Sequence, residues 1–203
     1  NNDIKIENSC IKELLRVIEK DDRIGMAAPR LINYYNKKLK SSGTWVSRAF
    51  YSGHIGNNAV LEEIPYLGVG LIRKGIAMKF GYIFDPDYFI YAEDVDLGLR
   101  MRLLGYKAAF APKAVIYHLH ASTTKKFGSS KTTFLLERNL LMTFFKILSL
   151  KSILLFLPYV FLVRLFAIVK DVLTFNFRNA FSRIMAVFWV IFNFNIIYEK
   201  RKS

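Results

Sequence analysis

Apolar residues Ile11, Leu14, Leu15 and Ile18 recur at intervals of three and four behind Asn8-Ser9, which predicts a capped amphipathic helix ending near Lys20. Ile24-Gly25-Met26-Ala27-Ala28 follows as a short apolar run stopped by Pro29, the pattern of a buried strand. Asn36-Lys37-Lys38 predicts a hairpin turn, and Ser41-Ser42-Gly43-Thr44 a second break. Residues 49–63 have no clear period, and His54, in their glycine- and asparagine-containing loop, reads as incidental. Next come a strand over 66–73, a short helix over 74–79, and a helix that opens at Tyr91-Ala92-Glu93-Asp94-Val95-Asp96 and closes at Gly105-Tyr106. Two strands, 108–111 and 114–117, flank Pro112. Strands alternating with helices argue for an α/β layer.

The pattern changes after Lys131. From Thr132 onward the chain reads as helix, with long apolar stretches over 153–163 and 184–198. The first is bracketed by Lys151 and Arg164 and is shorter than the roughly 20 apolar residues of a simple membrane span. The second is interrupted by Asn193 and Asn195. Apolar faces studded with Lys151, Arg164, Lys170, Arg178 and Arg183 suit helices lying in a bilayer interface, basic heads toward lipid phosphates. The plainer reading is a helical bundle that packs on the preceding layer or on a second subunit, and a re-entrant hairpin is a third.

At 203 residues the chain can bury one sizeable core. Its formal charge of +14 calls for an anionic partner, whether nucleic acid, an anionic bilayer or a phosphorylated substrate. The chain has no recognised nucleic-acid motif, and its C-terminal basic residues sit among apolar runs, which disfavours the first. Cys10 is the single cysteine, which excludes an internal disulfide and a cysteine-based structural zinc site and fits a reducing compartment.

Glu93, Asp94 and Asp96 place three carboxylates within four residues. Acidic residues at a helix start are ordinary punctuation, but this many repel one another unless cations, hydroxyls or N–H groups receive them. The flanks favour a site. Gly81-Tyr82-Ile83-Phe84-Asp85 opens a turn-rich aromatic run just before the cluster, and Gly68-Val69-Gly70-Leu71-Ile72-Arg73-Lys74 precedes that, its glycines permitting close approach of a ligand or another backbone.

This series, Gly81 through Gly105-Tyr106, resembles the acceptor-side segment of the family 2 glycosyltransferases, which have the GT-A fold. The resemblance runs from residue 1 to about residue 146 and is most specific from Glu93 to Tyr106; Tyr82-Ile83 departs from it, being bulky where small residues are common. It implies an α/β fold, a partial GT-A layer over 1–131 beginning at a DXD-like motif, Asn1-Asn2-Asp3, with the nucleotide-recognising half before it. Residues 132–203 are then a helical, membrane-associating region. By the same resemblance Asp94 is the catalytic base, with Asp96 the runner-up, Glu93 and Asp96 bind the acceptor, and Asp3 and His118, favoured over His120, hold a divalent metal, Mg2+ or Mn2+. Asp96 has an alternative role, holding a basic neighbour such as Arg100. Lys125, Lys126 and Arg138 are the phosphate-binding candidates, Arg138 with an acceptor role as its alternative because Glu137-Arg138-Asn139 resembles a recurrent motif of related transferases; Lys125, Lys126 and Lys131 flank Phe127-Gly128-Ser129-Ser130, which reads as a lid or a solvated loop.

The implied activity is inverting transfer of a sugar from a nucleotide-diphosphate donor to a membrane-linked or polysaccharide acceptor, in cell-wall or cell-surface polysaccharide assembly at the cytoplasmic face of the membrane. The alternative is a non-catalytic membrane-binding or scaffold module derived from such an enzyme.

Overall fold

In the computed structural model of the chain, residues 3–55, 63–64, 69–119 and 122–202 are described. They form two compact units. The first comprises Asn1–Trp45, Ser52–Asp85 and Asp94–Ala121, and the second Val46–Tyr51, Pro86–Glu93 and Ser122–Ser203.

The first unit is built on a mixed sheet. Strands β1 (Ile4–Ile6), β2 (Ile24–Asn33), β3 (Leu39–Ser41), β6 (Glu63–Ile64), β7 (Leu71–Ile72) and β8 (Lys107–His118) form it, in the order β1-β8-β2-β3 with β6 on β8 and β7 on β2. β2 and β8 run parallel and the other pairs antiparallel. Strands β4 (Thr44–Val46) and β5 (Ser52–His54) make a separate two-stranded ribbon.

Helix α1 (Cys10–Ile18) covers one face, where Cys10, Leu14 and Ile18 pack with Ile24, Ala27, Ala109, Ala111, Ala114 and Ile116. The helix was expected, but its buried stripe is turned by one position. Ile11 and Leu15 are 57% and 42% exposed, because the i, i+4, i+8 row beginning at Cys10 meets the sheet. On the other face α2 (Lys74–Ala77) and α3 (Glu93–Leu103) contribute Ile76, Leu97 and Met101 to a cluster with Met26, Ala28, Ala108 and Phe110. With both faces covered, β2 and β8 read as nearly continuous apolar runs.

The two strands expected around Pro112 are one. Register passes from Pro29 opposite Ala111 to Arg30 opposite Val115, so residues 112–114 bulge out of the ladder. Pro112, which has no N–H to give, falls inside that bulge, and Pro29 stands paired at its edge. The bulge also returns Ala114 to the same face as Ala111. β2 likewise runs through Pro29 to Asn33 rather than ending before it. The expected hairpin follows, with Asn33 Oδ1 accepting from the Tyr35 and Asn36 N–H groups and Lys37 at φ 56°. Of the strand expected over 66–73 only Leu71–Ile72 is extended among described residues; residues 65–68 lie outside them.

Packing of α3 on β2 depends on Gly25, where an added Cβ would lie 2.2 Å from Met101 Cε. The helix closes as its sequence dictates. Gly105 adopts φ 82°, its N–H donates to the Arg102 carbonyl at 2.9 Å, and the Tyr106 N–H reaches back to Met101 at 3.1 Å.

The second unit is helical: α4 (Ser122–Ile147), α5 (Leu150–Leu173), α6 (Phe177–Phe192) and α7 (Phe194–Lys202). Leu140, Phe144, Val160, Ala186, Val190 and Ile197 are its core. The apolar run over 153–163 turns out to be part of a 24-residue helix, about 36 Å long, which is long and apolar enough to cross a membrane. α6 and Phe194–Arg201 meet at a 61° bend and pass the same test only as a broken pair.

Arg164 was expected to face lipid phosphates and to end the apolar stretch. It is instead 4% exposed, donating to the backbone carbonyls of Ala49 (2.8 Å) and Phe50 (3.3 Å) and ion-paired with Glu137 at 3.3 Å. Arg183, also expected at the surface, pairs with Glu137 and with Asp171 (2.8 Å). A charge buried among helices needs a partner more than a charge in water does, and Glu137 draws both cations inward. The outward face of α5 is left apolar, with Leu155, Leu162 and Phe166 prominently exposed.

Candidate active site

The carboxylate cluster stands at the start of α3, behind a backbone of unusual shape. Phe89, Tyr91 and Ala92 have φ of 61°, 71° and 60°, in the left-handed region that glycine or asparagine normally fills. Each such residue costs about 1–3 kcal/mol and persists only where its surroundings hold it. In the second unit those surroundings are visible. Asn139, fully buried on α4, donates through Nδ2 to the carbonyls of Tyr88 (3.0 Å), Ile90 (2.9 Å) and Tyr91 (2.7 Å).

Asp94 is half-buried, in the first unit. Burial pushes its carboxyl pKa up; the Val95 N–H (2.9 Å), the Thr44 hydroxyl (3.3 Å) and the charge of His54 oppose that and favour the ionised form. A carboxylate held above its usual range, with one oxygen engaged by a hydroxyl, has the character of a general base. Thr44 and His54 were missed in the sequence. Thr44 lay in what read as a loop break, and β5, which carries His54, gave no periodic signal.

Asp96, two residues on, is 0% exposed, and its Oδ2 accepts from Arg100 Nε at 2.8 Å across one turn. Arg100 in turn donates to the Ile83 carbonyl at 2.7 Å and lies over the Tyr82 ring at 4.8 Å. This geometry matches the second of Asp96's two sequence roles, tying α3 to the turn at Tyr82-Ile83. Glu93 is half-buried at the first position of α3.

Asp3 and His118 come together although they lie near opposite ends of the first unit's sequence. Ile4 pairs with His118 in the β1–β8 ladder, the Leu119 N–H donates to the Asp3 carbonyl at 2.8 Å, and Asp3 Oδ2 stands 3.3 Å from His118 Nε2. Two neighbouring ligands about 2.1 Å from an octahedral ion are about 3 Å apart, so this oxygen and nitrogen fit adjacent positions around one Mg2+ or Mn2+. Among the described residues no group of three or more His, Cys, Asp and Glu side chains gathers to hold a metal, so other ligands would come from substrate and water. His120 lies outside the described residues.

Of the phosphate candidates, Arg138 is engaged elsewhere. Its guanidinium donates to the carbonyls of Asp87 (2.9 Å) and Tyr88 (3.1 Å) and to Asn139 Oδ1 (2.9 Å), and it stacks over Trp189 at 4.9 Å. The side chains of Lys125 and Lys126 lie outside the described residues. The segment expected as a lid or solvated loop is helical within α4, broken at Gly128 (φ 69°, ψ 161°), with Lys131 exposed beyond it.

A mixed α/β sheet carrying an acidic helix start, followed by C-terminal helices, is a partial GT-A fold. The chain is similar to a solved GT-A glycosyltransferase, GalNAc-T7, whose crystal structure contains UDP, GalNAc and Mn2+; the TM-score is 0.50 at 15% identity, over 69% of this chain. The chain spans 29% of the length of that structure's chain. It matches no protein-family model and no curated protein sequence.

Proposed function

We propose that the chain is the acceptor-side part of a family 2 glycosyltransferase that moves a sugar, with inversion, from a nucleotide-diphosphate donor. The observation that carries this reading is Asp94, a carboxyl with its pKa raised by burial at the start of α3 in a GT-A fold. Asp94 takes the proton of the acceptor hydroxyl. That oxygen bonds to the anomeric carbon as the bond from this carbon to the diphosphate oxygen breaks on the opposite face. Glu93 orients the acceptor in this reading. Asp3 and His118 would hold a divalent cation, which supplies positive charge beside the departing diphosphate. Lys125, Lys126 and Lys131 are left as the basic side chains for phosphate, since Arg138 is committed to backbone carbonyls.

The acceptor in this reading is membrane-linked or a growing cell-surface polysaccharide, met at the cytoplasmic face of the membrane. Support comes from the apolar outward face of α5 together with Lys151 and Lys170 toward its two ends. The test is sugar transfer by the full-length enzyme carrying this chain, against a panel of nucleotide sugars, with Asp94→Asn as control. Turnover by wild type and its loss in Asp94→Asn supports the transferase. Vesicle binding without turnover in the wild type supports the non-catalytic membrane module instead.

A further inference from the structure

We infer that Asn139 and Arg138 are positioning residues for catalysis: from α4 they hold the backbone of residues 87–91 in its left-handed shape and so set Glu93, which follows that segment within the same unit. The inference rests on the transferase reading and adds to it two residues that touch neither substrate nor reacting atoms.

The contacts converge on one short segment. Asn139 Nδ2 has two hydrogens and three carbonyl acceptors within 3.0 Å, so at least one hydrogen is shared among the carbonyls of Tyr88, Ile90 and Tyr91. Arg138 Nη2 adds the carbonyls of Asp87 and Tyr88. The Arg138 Nε–H donates to Asn139 Oδ1, which fixes the amide with its nitrogen toward the loop. Thr143, one turn further along α4, donates to the Asn139 carbonyl at 2.9 Å and meets the Tyr88 hydroxyl at 2.6 Å, so the buried Tyr88 ring is tied down as well. Four of the five carbonyls from Asp87 to Tyr91 thus accept from two adjacent side chains.

What these bonds hold is costly to hold. Phe89, Tyr91 and Ala92 are non-glycine residues at positive φ, and Tyr91-Ala92 leads directly into Glu93 and Asp94. A segment kept only for packing could relax these residues to ordinary backbone; one that must deliver a carboxylate at a set angle cannot. Glu137, next to Arg138, anchors the same turn of α4 through Arg164 and Arg183.

The experiment uses the full-length enzyme. Asn139→Leu keeps the volume and removes the donors, while Arg138→Ala removes two loop bonds from a half-buried site and leaves the helix intact. Both should lower kcat by about 10²-fold, as small misplacements of a catalytic group do, with the KM for donor changed less than about twofold. Arg138→Lys, which retains one donor, should recover at least about tenfold of the loss. If Asn139→Leu does not fold, the Arg138 pair decides alone. Folded Arg138→Ala with lowered thermal stability but kcat within about twofold of wild type would overturn the inference. Absence of turnover in the wild-type enzyme would instead remove the transferase reading beneath it, so the two failures are distinct.

Discussion

The Thr44 hydroxyl donates to Asp94 Oδ2 at 3.3 Å, joining the two-stranded ribbon's first residue to the second residue of the acidic helix. It is a bond to the charged form of the carboxyl, and so it works against the burial that raises the Asp94 pKa.

The consequence is a pH dependence with a definite sign. A base acts when deprotonated, so kcat/KM should fall as pH drops through the raised pKa of Asp94. Thr44→Val removes a donor that favours the carboxylate, and the acid limb of the profile should move to higher pH. Removing the charge of His54 with His54→Gln should move it the same way. A limb that stays fixed, or moves to lower pH, in Thr44→Val would show that Asp94 does not set it. Stability follows the same group. Its folded pKa lies above the unfolded value, so its contribution is most favourable at low pH and declines as pH rises through the folded pKa; Asp94→Asn should remove that decline from thermal melts.

Asp96 and Arg100 predict a different phenotype from Asp94. Asp96→Ala leaves a buried guanidinium without its carboxylate, a loss on the order of 3–5 kcal/mol of stability. Urea unfolding should register it, while the protein that remains folded turns over near the wild-type rate. A stable Asp96→Ala protein with kcat reduced about 10²-fold would return Asp96 to the acceptor or base role.

Much of this site was legible in the chain, and the reasons differ residue by residue. The closure of α3 at Gly105 is local chemistry, because a left-handed residue after a helix selects glycine, and the sequence alone could place it. The approach of Asp3 to His118 was legible only through family resemblance, since the pairing of β1 with β8 is set by the whole sheet. Thr44 and His54 gave no signal, and Asn139 stood out only as the last residue of Glu137-Arg138-Asn139, where Arg138 was the candidate. Each is a polar residue whose partner lies far away in sequence, and Asn139 inside an apolar helix looks like an interruption until its three carbonyls are seen. Arg164 misled for a related reason. Along the sequence it ends an apolar run, whereas in three dimensions it points away from that run's exposed face toward Glu137 on another helix. Pro112 read as a strand break because the strand on which pairing resumes beyond it, with Arg30 opposite Val115, is β2, far away in sequence.

Asp3 and His118 are tested by metal affinity. Titration of Mn2+ into the full-length enzyme with a nucleoside diphosphate present should show a single site, and Asp3→Ala and His118→Ala should each weaken it by at least the roughly tenfold seen when even an outer-shell partner is removed. Unaltered Mn2+ affinity in both variants would leave their 3.3 Å contact as an ion pair of the β1–β8 edge and nothing more.

The membrane reading now separates the basic residues of the second unit into two groups with opposite behaviour. Arg164 and Arg183 are internal partners of Glu137, so Arg164→Gln should destabilise the helical unit and should not act as a graded loss of lipid attraction. Lys151, Lys170 and Arg178 lie on α5 and α6 outside that network, and each replaced by Gln should weaken binding to anionic vesicles by about 1 kcal/mol, about fivefold. Replacing the exposed Leu155, Leu162 and Phe166 by Ser should weaken binding more than any single charge, and to neutral vesicles as well, since that loss is of buried apolar area. Deleting residues 147–203 should release the full-length enzyme from vesicles altogether. If the three-residue Ser variant sediments with vesicles as wild type does, while its oligomeric state changes in solution, the apolar face of α5 is a protein contact and not a lipid one.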